Sequence, residues 1–451
     1  MHTGTNLSVA PWEPLSVPTF DRNPADLGIS ECARLLACGE LNSRALVDAC
    51  LQRIGGEGKM LNAFIHVDGD MARAEADLSD LRRAECSPLS PLDGVPIALK
   101  DNIDVIGLPT TNGLGTSWMP SQDAGVVTLL RERGIVLIGK TNMHEGALGA
   151  TTDNPHHGRT ENPAVPGHTP GGSSGGSGAA VAARLCPGAL GTDTMGSVRV
   201  PAAYCGIVGF KPSRGYWPIS GVAPLVTELD TVGPMTRTVE DTAMLIDLPI
   251  ERIDLEEIVL ATLENFDGAD VEPNAWNIYQ EALARLRFAG ATIRPMKLSD
   301  FDPSAARRVG FMVSEVEAMV AHESMMEACS DAFSPEFRSM LDFGARLPAA
   351  RYVKAKRSLA RVGRVFSEIL DEADAIISLT GPQMAFPFDD EVPVTQADFT
   401  APANFAGCPS VSLPILVAES ARPVGLQVMA GIGRDADLVG IAAAIEKILD
   451  T

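Results

Sequence analysis

Histidine and aromatic residues are scarce in this sequence, and several familiar patterns are missing. Only 7 of its 451 residues are histidine, and 5% are aromatic. The eight cysteines show no C-x-x-C spacing and mostly adjoin apolar residues, which indicates free thiols in a reducing compartment. No apolar run approaches the ~18 residues that a membrane helix requires, and no basic-then-apolar leader opens the chain. We therefore expect a cytoplasmic protein that does not interact with membranes.

Positive charge is also in short supply. The chain has 36 lysines and arginines against 58 aspartates and glutamates, a formal net charge of −22. Because phosphate binding requires a basic face, this balance argues against a nucleic-acid partner. Neither a repeat nor a Pro/Gly/Ser-rich linker divides the chain. We expect a single domain over residues 1–451, with an irregular N-terminal arm over residues 1–25.

Buried strands alternate with helices along the chain. Residues 94–99 and 135–138 read as strands around a helix at 124–133, and returning strands are expected at 374–379 and 424–429. Residues 230–235 are expected to form a loop beside a strand. The pattern predicts an α/β fold with a large mixed, mostly parallel sheet, covered by helices on both faces.

Residues 303–373 are predicted to be almost wholly helical, with breaks near residue 334 and at 347–348. This helical region is a possible lid over a site, and simple packing against the sheet is an equally open interpretation.

Residues 169–201 contain the densest cluster of small and hydroxyl residues. A glycine- and serine-rich loop over 171–176 leads into an alanine-rich segment that favours a helix. A second glycine-containing turn follows at 192–197. Two serine-bearing tight turns separated by one buried helix indicate nucleophilic chemistry rather than a flexible linker.

Three motifs carry a family resemblance. GVPIALKDNID, GGSSGGSGAAVAA and GTDTMGSVRVPAAYCG resemble the signature of the amidase signature family of Ser-Ser-Lys hydrolases. The resemblance is dense over residues 92–241, the signature core, and implies the amidase-signature fold. It also implies an amidohydrolase that cleaves the carbon–nitrogen bond of a small linear amide through an acyl-enzyme. No metal or organic cofactor is implied.

The resemblance identifies Lys100, Ser173 and Ser197 as the catalytic residues, with Ser197 the nucleophile and a cis peptide bond before Ser173. A lysine at the end of an apolar strand can act as a base if burial lowers its pKa from about 10.4. The same motifs place an oxyanion hole at four backbone N–H groups: Thr194, Met195, Gly196 and Ser197. They also mark four supporting residues: Gly172, Ser174, Asp193 and Arg199.

Met195 departs from the family motif, which has glycine or another small residue at this position. If the position requires a positive φ, methionine is strained there. Alternatively, the side chain narrows the pocket beside the oxyanion hole. The identity of this residue is expected to affect the catalytic efficiency and the range of substrates more than it affects the mechanism.

Three competing motifs are weaker. Residues 134–141 fit the phosphate-loop pattern G-x-x-x-x-G-K-[ST], but their apolar residues must form a strand and cannot cradle an anion. GGSSG at 171–175 fits the nucleophile-elbow pattern, yet a loop precedes it and only His322 follows Ser197. His156, His157 and His168 lie in a loop without an organised metal-ligand set.

Two other functions remain open from the sequence. One is a partner-dependent chain, either resembling the A subunit of an amidotransferase or belonging to a heteromeric amide or carbamate hydrolase. The other is a non-catalytic small-molecule binding protein on the same fold. Beyond a small-molecule amide substrate, a homodimer is one assembly open to the chain.

Overall fold

The computed structural model of the chain describes residues 22–267, 270–298, 301–415 and 422–449. Within these ranges the chain forms one eleven-stranded sheet and fourteen α-helices. The strands are β1 Phe64–His66, β2 Pro96–Lys100, β3 Val136–Thr141, β4 Gly188–Asp193, β5 Val208–Lys211, β6 Thr231–Thr236, β7 Val259–Leu263, β8 Thr292–Met296, β9 Ala375–Leu379, β10 Ser410–Ile415 and β11 Val424–Met429. The helices are α1 Ile29–Ala37, α2 Ser43–Gly55, α3 Gly69–Ala84, α4 Gly125–Glu132, α5 Gly175–Ala182, α6 Arg199–Cys205, α7 Val239–Ile246, α8 Glu264–Asp267, α9 Pro273–Phe288, α10 Pro303–Ala328, α11 Pro335–Arg346, α12 Ala349–Leu370, α13 Ala401–Ala406 and α14 Asp435–Leu449.

The strand order across the sheet is β1-β3-β2-β4-β6-β5-β10-β11-β9-β7-β8. β2 pairs in parallel with β3 and β4, and β7 pairs in parallel with β8 and β9. All residues of β2 to β6, β9 and β11 are buried, as in strands covered on both faces. The predicted α/β fold with a large mixed sheet is confirmed.

The prediction that the sheet is mostly parallel is wrong. Of the ten strand pairs described, six are antiparallel and four are parallel. β6 lies where a loop was expected and pairs antiparallel with both β4 and β5. Gly233 and Pro234 hide this strand in the sequence, since both residue types are uncommon in strands. A Cβ on Gly233 would lie 2.2 Å from the Phe210 carbonyl oxygen, so only glycine fits there.

The helical region is formed by α10, α11 and α12. Its two breaks fall at residues 329–334 and 347–348, where the sequence predicted them. Asp302 and Ser334 cap α10 and α11 by accepting hydrogen bonds from backbone N–H groups at the third helical positions. A second hydrophobic cluster, distinct from the main core of the sheet, fills the space beneath these helices. It includes Met143 and Leu148 from the signature core, so the two regions pack directly together.

The predicted arm over residues 1–25 lies almost entirely outside the described residues, and only its end is seen, where Pro24–Asp26 forms a 3₁₀ turn. All eight cysteines are free; five are buried, and Cys38, Cys86 and Cys329 are exposed. Among the described helices, none combines the length and apolar character needed to cross a bilayer.

Candidate active site

Lys100 ends β2 and its side chain is completely buried. Its Nζ donates to Ser173 Oγ at 2.7 Å and to Thr192 Oγ1 at 2.8 Å. Thr192 Oγ1 also accepts from Asn102 Nδ2 at 3.0 Å, which fixes the hydroxyl beside the amine. Burial lowers the pKa of Lys100 to about 7, although the charge of Asp230 acts in the opposite direction. A substantial fraction of Lys100 is therefore neutral near pH 7.

Ser173 lies in the loop before α5 and is completely buried. The peptide bond between Gly172 and Ser173 is cis, as the family resemblance implies. A Cβ on Gly172 would lie 2.8 Å from the backbone nitrogen of Thr151, so the close approach of two backbone segments requires glycine here. The backbone N–H of His144 donates to the Ser173 carbonyl at 3.0 Å and holds the loop from the other side.

Ser174 joins the two serine-bearing turns. Its backbone N–H donates to the Ser197 carbonyl at 3.2 Å. Its Oγ donates to the Thr192 carbonyl at 3.2 Å and lies 3.3 Å from the Thr192 backbone nitrogen. The loop that carries Ser173 is thereby tied to β4 and to the turn that carries Ser197.

Asp193 organises the turn after β4. Its carboxylate accepts from the backbone N–H of Gly196 at 2.7 Å and of Val198 at 3.2 Å. Arg199 donates to both carboxylate oxygens, through Nε at 3.0 Å and Nη2 at 2.9 Å. Burial alone would raise the pKa of Asp193, but the Arg199 guanidinium more than offsets this and holds it at about 2. The two residues form the buried pair expected to hold the turn.

The predicted oxyanion hole needs a correction at Gly196. Its backbone N–H already donates to Asp193 Oδ1, so this donor holds the turn and is not free for a substrate oxygen. Thr194, Met195 and Ser197 remain the proposed N–H donors, and all four residues of the turn line the neighbouring cavity.

Arg199 extends the support to the C-terminal part of the chain. Its Nη1 donates to the Thr400 carbonyl at 2.9 Å and to Gln427 Oε1 at 2.7 Å, and its Nη2 donates to Asn404 Oδ1 at 2.7 Å. Asn404 Nδ2 in turn donates to the Asp193 carbonyl at 3.0 Å. Sequence reasoning missed these partners. A polar residue within an apolar segment indicates that its side chain is buried, but it does not indicate which distant residue it contacts.

Met195 is not strained. The positive φ of this turn belongs to Gly196, at 138°, and not to Met195. The Met195 side chain lines the cavity and points toward Gly310 on α10, where an added Cβ would lie 2.6 Å from its sulfur. Of the two interpretations of this residue, the strained one is wrong, and the pocket-narrowing one agrees with the placement of the side chain.

Asp230 is a second buried acidic residue near the site, and sequence reasoning missed it. It is 7% exposed and precedes β6. Its carboxylate accepts from Thr194 Oγ1 at 2.5 Å and from the backbone N–H of Leu225 at 2.8 Å. Burial raises its pKa to about 6. Asp230 therefore both orients Thr194 and acts on Lys100 through its charge.

A cavity of about 570 Å³ opens beside Ser197, which lies in its wall. The signature core contributes Gly172, His144 and the turn at 194–197. The helical region contributes residues from α10 and α11 but none from α12. Much of the wall is apolar; these side chains include Ala147, Leu148, Ala150, Val200, Leu225, Phe311, Met340, Val392, Pro393, Val394 and Ala397.

The histidines of the competing motifs have structural partners. His322 lies on α10, where its ring contacts Asn112 Nδ2 at 3.0 Å and the Ala318 carbonyl at 2.8 Å. His156 contacts Glu145 at 3.0 Å, and His157 contacts the Leu114 carbonyl at 2.9 Å. Residues Val136–Thr141 of the phosphate-loop pattern form β3, so their backbone groups serve the sheet. Sequence reasoning missed His144, which lines the cavity, and burial lowers its pKa to about 4.

Comparison with known proteins gives a consistent result. A family model described as Amidase matches residues 45–439. The glutamyl-tRNA(Gln) amidotransferase A subunit of Acidothermus cellulolyticus is 34% identical, and the match covers 92% of this chain and 93% of the relative. A crystal structure of an amidase superimposes with a TM-score of 0.88 at 31% identity, covering 93% of this chain and 99% of the other. The glutamyl-tRNA(Gln) amidotransferase A subunit of Thermotoga maritima gives a TM-score of 0.78 at 28% identity, over 95% and 96% of the two chains.

Proposed function

The chain belongs to the Amidase family, and we propose that it hydrolyses the carbon–nitrogen bond of a small carboxamide through Lys100, Ser173 and Ser197. The observation that carries this proposal is the buried 2.7 Å contact between Lys100 Nζ and Ser173 Oγ, with the pKa of the amine lowered to about 7. A buried neutral amine in contact with a hydroxyl can act as a general base near pH 7.

In the proposed reaction, neutral Lys100 accepts the proton of Ser173 while Ser173 accepts the proton of Ser197. Ser197 Oγ then forms a bond to the carboxamide carbon, and the carbonyl electron pair moves onto the oxygen. The backbone N–H groups of Thr194, Met195 and Ser197 stabilise this negative charge; loss of one such donor typically costs about a hundred- to a thousandfold in rate.

Collapse of the tetrahedral intermediate breaks the carbon–nitrogen bond. The leaving nitrogen takes a proton back through Ser173, and the acyl group remains on Ser197. Water, activated by the same relay, then attacks the ester carbonyl and releases the carboxylic acid. Each proton taken from a nucleophile is returned to a leaving group, so Lys100 ends neutral.

A second candidate is an amidotransferase subunit that works with partner chains. The names of the curated relatives favour it more than they favour a stand-alone hydrolase, since they are amidotransferase A subunits at 32–34% identity. The apolar wall formed by Phe311, Met340 and Val394 instead favours a substrate with an apolar arm, and supports the first candidate.

The two candidates are separated by assaying the purified chain alone for release of ammonia or amine. The substrates are linear amides of graded length together with L-glutamine, and Ser197→Ala is the control. Hydrolysis of an apolar amide by the chain alone, lost in Ser197→Ala, supports the stand-alone hydrolase. Activity that appears only when partner subunits are added supports the amidotransferase subunit.

A further inference from the structure

Arg307 is the one cationic side chain among the described residues that line the cavity. It lies on α10, where Phe311 and Ser314 also line the cavity. Spacings of four and seven residues place these three side chains on the same helix face. Arg307 is therefore part of a continuous wall that α10 presents to the substrate.

Asp398 holds Arg307 in place. Arg307 Nε donates to Asp398 Oδ1 at 2.6 Å, and Asp398 also accepts from Ser304 Oγ. The Asp398 side chain is 1% exposed, whereas that of Arg307 is 12% exposed. In the described part of the chain, Asp398 is the only hydrogen-bond partner of the Arg307 side chain. The terminal N–H groups of the guanidinium are left for the cavity, and the pairing fixes their direction.

Arg307 enters the cavity from α10, on a different element from the turn that carries Ser197. Gly310, almost one helical turn farther along α10, is the residue that meets Met195. Met195 in turn precedes the Gly196–Ser197 turn in the chain. Arg307 therefore lies about 5 Å along the axis of α10 from the residue that meets Met195. We therefore expect its donors to face a part of the substrate beyond the scissile amide.

The charges around the cavity favour a neutral group as the partner of Arg307. Asp398 already balances the guanidinium, and two exposed carboxylates, Asp153 and Glu336, also line the cavity. A substrate carboxylate would approach these groups at a cost, with little net positive charge to offset it. A neutral carbonyl oxygen accepts the same N–H groups without that repulsion.

We propose that the substrate carries a second, neutral carbonyl group beyond the scissile amide, and that Arg307 binds this carbonyl through its terminal N–H groups. The substrate class is then a bifunctional neutral amide, such as a diamide, an ester amide or a ureido amide, with an apolar spacer packed against Met195 and Phe311. This inference rests on the proposed function, because it assigns the far end of the same substrate.

The test compares three matched compounds of equal chain length: a linear diamide, the corresponding monoamide with a terminal methyl group, and the monoamide with a terminal carboxylate. The first readout is protection of Ser197 from labelling by a fluorophosphonate, followed by intact mass, which requires no turnover. The second readout is kcat/KM for release of ammonia. The value measured for the diamide is divided by two, because that compound has two equivalent amides that can react. The proteins are wild type, Arg307→Met and Arg307→Lys, with Arg434→Met as the control for loss of an ion-paired arginine outside the cavity.

In the wild type we expect the diamide to protect Ser197, and to be hydrolysed, about 10- to 100-fold better than the methyl-terminated amide, the range typical of a hydrogen bond to a charged group. Arg307→Met should reduce this preference to less than about threefold, and Arg434→Met should retain it. The carboxylate compound should protect Ser197 less than the diamide at low ionic strength. Its protection should increase with salt, because salt screens its repulsion by Asp153 and Glu336.

Arg307→Lys keeps a positive charge opposite buried Asp398, so it should retain the fold even if Arg307→Met does not. Its preference for the diamide over the methyl-terminated amide should fall several-fold, because the ammonium group lacks the forked N–H donors of the guanidinium. Equal protection by the diamide and the methyl-terminated amide, or an undiminished preference in the folded Arg307 variants, would overturn the inference alone. Stronger protection or a higher kcat/KM with the carboxylate compound than with the diamide would overturn the part of the inference that assigns a neutral carbonyl group to Arg307. No labelling of wild-type Ser197 would overturn the proposed function as well, so the two failures are distinguishable.

Discussion

The side chain of Met195 occupies the space that a side chain on Gly310 would need. A Cβ on Gly310 would lie 2.6 Å from the Met195 sulfur and 2.7 Å from Cζ of Phe405. The turn at 194–197 and helix α10 therefore pack together through a large residue on the turn, Met195, and a small residue on the helix, Gly310. This contact links the wall of the cavity to the turn that carries Ser197.

Gly310→Ala is expected to destabilise the protein, because the added methyl group overpacks the contact with Met195. Overpacking costs about 1–3 kcal/mol, which exceeds the gain of ~1 kcal/mol from replacing a helical glycine with alanine. Urea unfolding measures the net change. Met195→Ala in the same chain should recover part of the loss, since it removes one of the two clashing groups.

Gly55→Ala on α2 is the matched control, since no atom lies within 4 Å of the new Cβ. This variant should be neutral or slightly more stable. Equal effects at residues 55 and 310, or no recovery in the double variant, would contradict the proposed fit.

The rate of amide hydrolysis should depend on the ionisation of Lys100. Burial lowers the pKa of this amine to about 7, and the neutral form is the base. We expect kcat/KM to rise about tenfold per pH unit below pH 6 and to level off above pH 8. His144 has its pKa lowered to about 4, so His144→Asn should leave the midpoint in place whatever it does to the rate. A profile that is flat from pH 5 to 9 would exclude Lys100 as the base.

Asp230→Asn should move that midpoint to lower pH. The Asp230 carboxylate raises the pKa of Lys100, so its removal makes the amine easier to deprotonate. The rate itself should fall, because the backbone N–H groups of Leu225 and Val226 lose a charged acceptor. The pH profile of kcat/KM separates the two effects. A midpoint that stays or rises would show that Asp230 does not act on Lys100 through its charge.

Arg199→Gln should be strongly destabilising, since it leaves Asp193 buried without its cation. Breaking a buried ion pair from one side typically costs about 3–5 kcal/mol. Arg199→Lys should rescue little, because one ammonium cannot replace a guanidinium that bonds Asp193, Asn404, Gln427 and Thr400 together.

Chemical unfolding provides the measurement for this pair, with Arg346→Gln as the control for an exposed arginine paired with Asp342. The control should change stability by less than about 0.5 kcal/mol. A loss below about 1 kcal/mol in Arg199→Gln would mean that the pair does not hold the turn.

The sequence was informative where local pattern determines structure. The buried strand before Lys100, the phosphate-like pattern that is really β3, and the breaks in the helical region all follow from periodicity and from glycine or proline positions. Strand β6 could not be predicted in this way, because the close approach of the Phe210 backbone requires glycine at 233, and this glycine interrupts the strand pattern. Strand direction is a tertiary property that short buried runs do not reveal.

For the site, the motifs named candidate residues but did not show how they bond. The contact between Lys100 and Ser173 joins positions 73 residues apart, and Arg199 reaches Asn404 across 205 residues. Thr192, Asp230 and Arg307 gain their significance only from such long-range contacts. The engaged N–H of Gly196 could likewise not be foreseen, since it depends on where the Asp193 carboxylate turns.

The most direct test of the account is fluorophosphonate labelling of the purified chain, read by intact mass and peptide mapping, because it requires no knowledge of the substrate. We expect one label on Ser197 in the wild type, and labelling slowed at least about a hundredfold in both Lys100→Ala and Ser173→Ala. Labelling of Ser173 instead, or undiminished labelling of Ser197 in a folded Lys100→Ala variant, would contradict the Ser-Ser-Lys mechanism.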